Sequence, residues 1–173
     1  LPKETPAFNV NRLCGSGLQA IISAAQAVQL GDCDMAIGAG AESMSRGPYH
    51  VSAMRWGARM GDTPMVDYTV AALHDPFHGV HMGITAENVA EHYGITREMM
   101  DELAAESHRR AAGAIESGRF RSQIVPVEIR SRKGSFSFDI DEHVKGGTTV
   151  ETLAKMKPAF RKEGGTVTAG NAS

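Results

Sequence analysis

The sequence predicts an α/β fold, and three observations point to it. Pro6-Ala7-Phe8-Asn9-Val10 is a short apolar-alternating run that reads as a strand. Leu18, Ile21, Ile22, Ala25 and Val28 then recur at spacings of three and four, which makes one apolar face of a helix. Met35-Ala36-Ile37-Gly38-Ala39-Gly40 reads as a second, buried strand. Gly31 lies just past the last helical turn, where a left-handed residue commonly ends a helix.

This strand–helix–strand run puts Asn11-Arg12-Leu13-Cys14-Gly15-Ser16-Gly17 at a strand-to-helix corner, with glycines at 15 and 17 to permit the sharp turn. A thiol attacks only as thiolate. A helix N-terminus stabilises that anion through its unpaired N–H groups and its dipole. Cys14 is therefore a candidate nucleophile. The alternative is a buried structural cysteine, a common fate of free thiols, and local chemistry leaves both open. Ser16 is a rival nucleophile, but Gly15-Ser16-Gly17 lacks the G-x-S-x-G spacing of the serine elbow.

Further along, residues 46–76 show no clean period, broken by Gly47-Pro48, Gly57, Gly61 and Pro64. A helical turn or two is expected around Asp67 to Leu73. Long irregular segments are usually functional or serve assembly. Met54, Trp56, Met60 and Met65 suit an interface or packing against the protein's own core. Thr85 is expected to cap a helix that runs to about Tyr93 and stops at Gly94. Thr96 caps a longer one, with a stripe of Met100, Leu103, Ala104, Ser107, Ala111 and Ile115 and a stop at Gly118.

Val125, Val127 and Ile129 alternate, as do Phe136, Phe138 and Ile140, so a hairpin is expected around Lys133-Gly134. Pro126 argues for an edge position. Thr148 with Glu151 reads as a capping box for a short helix through about Met156. Thr166-Val167-Thr168 is strand-like.

The chain has 173 residues, 42% hydrophobic and 22% charged, enough for one ordinary domain with a real core. No apolar run approaches the length of a membrane span, and no signal peptide appears at Leu1. Cys14 and Cys33 are the only cysteines, which favours a reducing compartment over a disulfide scaffold. The net charge of -2 hides an asymmetry. Residues 1–118 carry 8 Lys and Arg against 14 Asp and Glu; residues 119–162 carry 10 against 5. A basic segment suits an anionic ligand, or is simply a solvated surface. His74, His78 and His81 do not form a recognisable metal motif, because Asp75-Pro76 interrupts a continuous helix and HExxH is absent.

Four separated stretches carry a resemblance: Asn11 to Gln19, Gly38-Ala39-Gly40-Ala41-Glu42-Ser43-Met44-Ser45, His81-Met82-Gly83-Ile84-Thr85-Ala86-Glu87-Asn88-Val89-Ala90, and Gly165-Thr166-Val167-Thr168-Ala169-Gly170-Asn171-Ala172-Ser173. In this order they resemble the thiolases, in the acetyl-CoA acetyltransferase branch, over essentially the whole chain. The resemblance implies a central slice of a thiolase. Residues 1–43 would end the N-terminal half of the core, and residues 44–173 would form the loop domain for coenzyme A binding and assembly.

By resemblance, Cys14 is the nucleophile. His81 and Met82 line the pantetheine and acyl pocket, with Leu73 beside them. Lys145 and Thr152 meet the nucleotide part, and Ser173 hydrogen-bonds the pantetheine. Lys145 stands where the family often has arginine, which keeps the charge but loses bidentate geometry. No tightly bound cofactor and no metal are implied; coenzyme A and acetyl-CoA enter as substrates. The implied reaction condenses two acetyl-CoA into acetoacetyl-CoA, or runs the reverse thiolysis, in a cytoplasmic or organellar-matrix homotetramer that engages neither nucleic acid nor membrane.

The family's Gly-His-Pro histidine, its second cysteine in Cys-x-Gly-Gly-Gly and its asparagine-histidine oxyanion site would lie downstream, so residues 1–173 alone are expected to be inactive. Cys33 lacks the second cysteine's context. The competing readings are a decarboxylating condensing enzyme of the same fold, against which the loop domain argues, and an inactive coenzyme A-binding or assembly module.

Overall fold

The computed structural model describes residues 1–172. They form two compact units, Leu1–His74 and a second beginning at Asp75.

In the first unit the main element is helix α1, Ser16–Leu30. Its end is the expected one. Gly31 has φ 78°, its N–H bonds to Val28 O, and the Asp32 N–H bonds to Ala27 O. The segment around Gly38 runs flush against this helix. A Cβ on Gly38 would lie 2.8 Å from the Ile21 Cα, so only glycine allows that approach.

Neither flanking segment is a strand, contrary to expectation. Residues 6–10 and 35–40 pair with no neighbour among the described residues. Met35 and Ile37 are 84% and 69% exposed rather than buried. Apolar alternation marks a face, but a strand exists only where a second strand takes its N–H and C=O groups. The apolar face of α1 is likewise uncovered, with no buried residue.

The remainder of this unit holds two helical turns, Met44–Arg46 and Ser52–Trp56, and a minimal antiparallel pair, β1 (Tyr49–His50) with β2 (Val66–Asp67). Asp67 then caps helix α2, Tyr68–Ala72, where one was expected. Its Oδ1 accepts from the N–H groups of Thr69 (2.7 Å) and Val70 (3.3 Å). Trp56 and Met60 are exposed, not packed in a core.

The second unit contains helices α3 (Met82–Tyr93), α4 (Arg97–Glu116) and α5 (Val150–Ala154), with a hairpin of β3 (Val127–Ser131) and β4 (Gly134–Phe138). Helix α3 starts three residues before the expected cap. His81 is the N-cap, its ring accepting from the Gly83 N–H, so Thr85 lies inside the helix. Gly94 stops it at φ 62°. Thr96 caps α4 as expected, accepting from the Met99 N–H at 3.3 Å. The packed face of α4 differs from the expected stripe, because Leu103 is exposed and the buried residue is Asp101.

Antiparallel register pairs Ser131 with Gly134, which makes the hairpin turn Arg132-Lys133, one residue earlier than expected. Pro126 precedes β3 and so removes no ladder hydrogen bond. The cap of α5 is displaced by one residue: the capping box is Thr149 with Thr152, not Thr148 with Glu151.

The centre of this unit is a polar clamp set among Ala90, Leu153 and Val167. Glu87 on α3 and Asp101 on α4 are 2% and 1% exposed. Glu87 accepts the N–H groups of Thr166 (2.9 Å) and Val167 (2.9 Å) and the Thr166 hydroxyl (2.8 Å). Asp101 takes the Arg97 guanidinium at 2.8 Å and the Asn171 amide at 2.9 Å. Asn171 also donates to Thr166 O and accepts from the Thr168 N–H.

Residues 166–168 therefore form a single bridge to Pro158 rather than a strand. Proline has no N–H to extend a ladder, and Glu87 occupies the N–H groups of Thr166 and Val167.

Burial alone would raise the Glu87 carboxyl. The Thr166 and Val167 N–H groups, the Thr166 hydroxyl and the Arg161 charge outweigh it and hold the group below its ordinary value of 4.5. A depressed folded value means the stabilisation is fully present above that ordinary value and is lost as pH falls through the folded one. Glu87→Ala leaves buried donors unpaired, and we expect it to cost about 3 kcal/mol of stability at neutral pH. Glu87→Gln should lower the midpoint less and flatten the acid limb of stability against pH. Chemical denaturation across the acid range checks both.

Candidate active site

The Cys14 corner is built from residues close together in sequence, between Asn11 and Gln19. Leu13 has φ 49°, a left-handed value, and turns the chain sharply into Cys14 and Gly15. The Gly15 N–H bonds to Arg12 O at 3.0 Å, and the Ser16 N–H to Leu13 O at 3.1 Å. Asn11 Oδ1 accepts the Leu13 N–H at 3.0 Å. Ser16 Oγ donates to Leu13 O at 2.7 Å and accepts the Arg12 N–H at 2.9 Å. Gly15 caps α1 without a side chain, so nothing of its own covers the helix start beside the thiol.

Cys14 is exposed and is a free thiol. Cys33 is also free, half-buried, in the turn after α1. Ser16 has its hydroxyl proton committed to a carbonyl, unlike a nucleophile waiting for a base.

Leu73 closes α2 and is 38% exposed. His81 and Met82 adjoin at the start of α3. His81 Nδ1 accepts from the Gly83 N–H at 3.0 Å, so a neutral ring carries its proton on Nε2. The imidazole stacks on Phe160, centroids 4.8 Å apart, and Phe160 lies against Gly83, where a Cβ would collide with the ring. Met82 is half-exposed.

Lys145 follows the hairpin. Its N–H bonds to His108 Nδ1 and its ammonium to Glu142 O at 2.7 Å. It edges an open groove of about 760 Å³ floored by Ile124, Val127, Phe138 and Ile140. Thr152 spends its hydroxyl on the α5 cap, donating to Thr149 O at 2.8 Å. Ser173 lies outside the described residues.

His81 and Met82 thus adjoin at the start of α3, while Lys145 bonds to His108 and Glu142 and Thr152 to Thr149. Sequence reasoning missed Phe160, Glu87 and Asp101. For Glu87 a signal existed: Gly83, Glu87 and Ala90 share one helical face. Asn88 serves structure, accepting from Arg161 at 2.6 Å. Among the described residues, no group of three His, Cys, Asp or Glu could hold a metal ion.

The model of the thiolase N-terminal domain matches residues 1–173. The chain belongs to the thiolase family. A beta-ketothiolase of Cupriavidus necator, BktB, is 63% identical over 170 residues, which is 98% of this chain and 43% of that protein. An acetyl-CoA acetyltransferase of Pseudomonas aeruginosa is 51% identical, with 100% of this chain and 44% of the relative covered. The chain therefore spans less than half the length of these relatives.

The crystal structure of the Bacillus anthracis acetyl-CoA acetyltransferase superposes with TM-score 0.89 at 48% identity, over 96% of this chain and 42% of the other. Human mitochondrial 3-ketoacyl-CoA thiolase gives 0.88 at 40% identity, over 99% and 44%. The fold is the α/β fold of thiolases, in part.

An exposed thiol at a helix start should react before a half-buried one in a turn. In the full-length protein, brief iodoacetamide treatment should alkylate Cys14 ahead of Cys33. Peptide mapping reads the order, and preferential labelling of Cys33 contradicts it.

Proposed function

We propose that the full-length thiolase carrying this chain is an acyltransferase of the acetyl-CoA acetyltransferase type. It condenses two acetyl-CoA into acetoacetyl-CoA and coenzyme A, or runs the reverse thiolysis. The observation that carries this reading is Cys14, an exposed thiol on a tightly wired turn at the start of α1, in a chain of this family. The names of the two relatives support the substrate class.

The Cys14 thiolate attacks the acyl carbonyl carbon. A C–S bond to Cys14 forms, the C–S bond to coenzyme A breaks, and coenzyme A leaves with the electron pair and takes a proton. A second acetyl-CoA, deprotonated at its methyl carbon, then attacks the acyl-enzyme, and the Cys14 sulfur leaves. The resemblance to thiolases assigns the base and acid for these proton transfers to residues outside 1–173.

In this reading residues 1–43 carry the nucleophile and residues 44–173 the coenzyme A platform. Leu73, His81 and Met82 face pantetheine and acyl group, Ser173 bonds the pantetheine, and Lys145 with Thr152 meets the nucleotide. Thr152 would do so through its remaining lone pair and methyl, since its proton is in the cap. Exposed Trp56 and Met60 support homotetramer assembly. The two free thiols suit the cytoplasm. No resident cofactor enters the scheme.

Incubation with acetyl-CoA should leave an acetyl group on Cys14, detected by mass mapping, and Cys14→Ala should lower turnover by at least about a thousandfold. Absence of both effects refutes the proposal.

A flexible methionine beside the acyl site should tolerate acetyl and crowd 2-branched chains by about 1–3 kcal/mol. Met82→Ala should then narrow the preference for acetoacetyl-CoA over its 2-methyl analogue, read as a ratio of kcat/KM. An unchanged ratio removes Met82 from the pocket.

A further inference from the structure

Leu13 and Ala58 are the non-glycine residues with positive φ among those described. A residue with a Cβ resists that region, because Cβ crowds the following carbonyl oxygen. Leucine also lacks the short polar side chain with which asparagine or aspartate supports itself there. Something outside Leu13 must therefore hold it, and the peptide groups around it are tied from two directions. Asn11 Oδ1 takes the Leu13 N–H at 3.0 Å. The Ser16 hydroxyl donates to Leu13 O at 2.7 Å and accepts the Arg12 N–H at 2.9 Å, so one oxygen spans the turn. Ser16 itself is fixed as the first residue of α1. Cys14 lies between the two anchors.

We propose that Ser16 is the positioning residue for Cys14: its hydroxyl holds Leu13 left-handed and thereby sets where the thiol is presented at the start of α1. This rests on the reading of Cys14 as nucleophile. Ser16 touches no reacting atom in this role. A shift of the corner misplaces the sulfur relative to the carbonyl it attacks, and reactions of this kind are steeply sensitive to such shifts. The role also accounts for a serine two residues from the nucleophile that is not itself positioned as one.

The test uses the full-length protein. Ser16→Ala should lower kcat for acetoacetyl-CoA thiolysis by about tenfold to a hundredfold with KM nearly unchanged, and should slow iodoacetamide labelling of Cys14. Ser16→Thr keeps the hydroxyl and should retain most of both. The discriminating variant is Leu13→Gly. Glycine adopts a left-handed φ without strain, so the clamp becomes largely dispensable, and Ser16→Ala should cost much less in the Leu13→Gly background.

An equal penalty in both backgrounds, or wild-type kcat and labelling in Ser16→Ala, overturns the proposal. If Ser16→Ala alone yields no folded protein, recovery on adding Leu13→Gly supports the clamp and failure to recover overturns it. The two readings fail separately. A wild-type Cys14 that takes no acetyl group from acetyl-CoA sinks the nucleophile assignment. An acetylated Cys14 with an indifferent Ser16 sinks only the positioning role.

Discussion

Two buried carboxylates, Glu87 and Asp101, fix the second unit. Together they reach residues some 70 to 80 positions later in the chain and take up the backbone and side-chain donors of Thr166, Val167 and Asn171. A buried charge is expensive unless it is paired or fully hydrogen-bonded. Here both are satisfied: Glu87 by neutral donors with Arg161 near, Asp101 by a guanidinium and an amide. The same Arg97 continues to the carbonyls of Leu153 and Met156, so it ties the end of α5 to α4. The apolar core of Ala90, Leu153 and Val167 is small. The clamp gives it register, because each carboxylate accepts only a specific set of donors.

The clamp also explains why residues 164–172 have a defined path without being a strand. Their N–H groups point to Glu87 and to the Asn171 and Thr168 side chains instead of to a neighbouring strand. Gly170 contributes space, since a Cβ there would strike Leu153 and Met156.

Much of the local structure was legible in the sequence. Helix α1 and its Gly31 stop, the Thr96 cap, α2 and the hairpin follow from periodicity and end signals that act within a few residues. The errors share a cause. Residues 35–40 read as a buried strand because apolar spacing reports a face, whereas pairing depends on distant chain. Thr85 read as a cap because threonine caps commonly; the imidazole of His81 does so rarely, yet its stack on Phe160, far along the sequence, holds the ring where Nδ1 meets the Gly83 N–H. Asp101 was overlooked because an acidic residue on an amphipathic helix is ordinarily solvated. Only a partner 70 residues away makes it core. The candidate site divides likewise. The Cys14 corner was readable because every group that shapes it lies between Asn11 and Gln19. The bonds that occupy Lys145 and Thr152 required the structure.

That division has a physical consequence for how the two parts of the site tolerate change. The Cys14 turn is closed by hydrogen bonds of short span, so its ordering entropy is small and its geometry depends little on packing elsewhere. Its weak point is local, one leucine in a left-handed conformation. The His81 cap depends on its long-range stack on Phe160, and residues 166–171 depend on Glu87 and Asp101. A core substitution near Ala90 or Leu153 would therefore disturb the His81 cap and residues 166–171 before it disturbed the Cys14 corner. If the second unit holds coenzyme A as proposed, loosening it should weaken that binding while an alkylating reagent still finds Cys14 in its native corner. Substitutions within 11–16 should do the reverse, leaving binding intact and slowing the chemistry. The Cys14 corner and the surroundings of His81 are thus held by different sets of contacts, one contiguous in sequence and the other assembled by the fold.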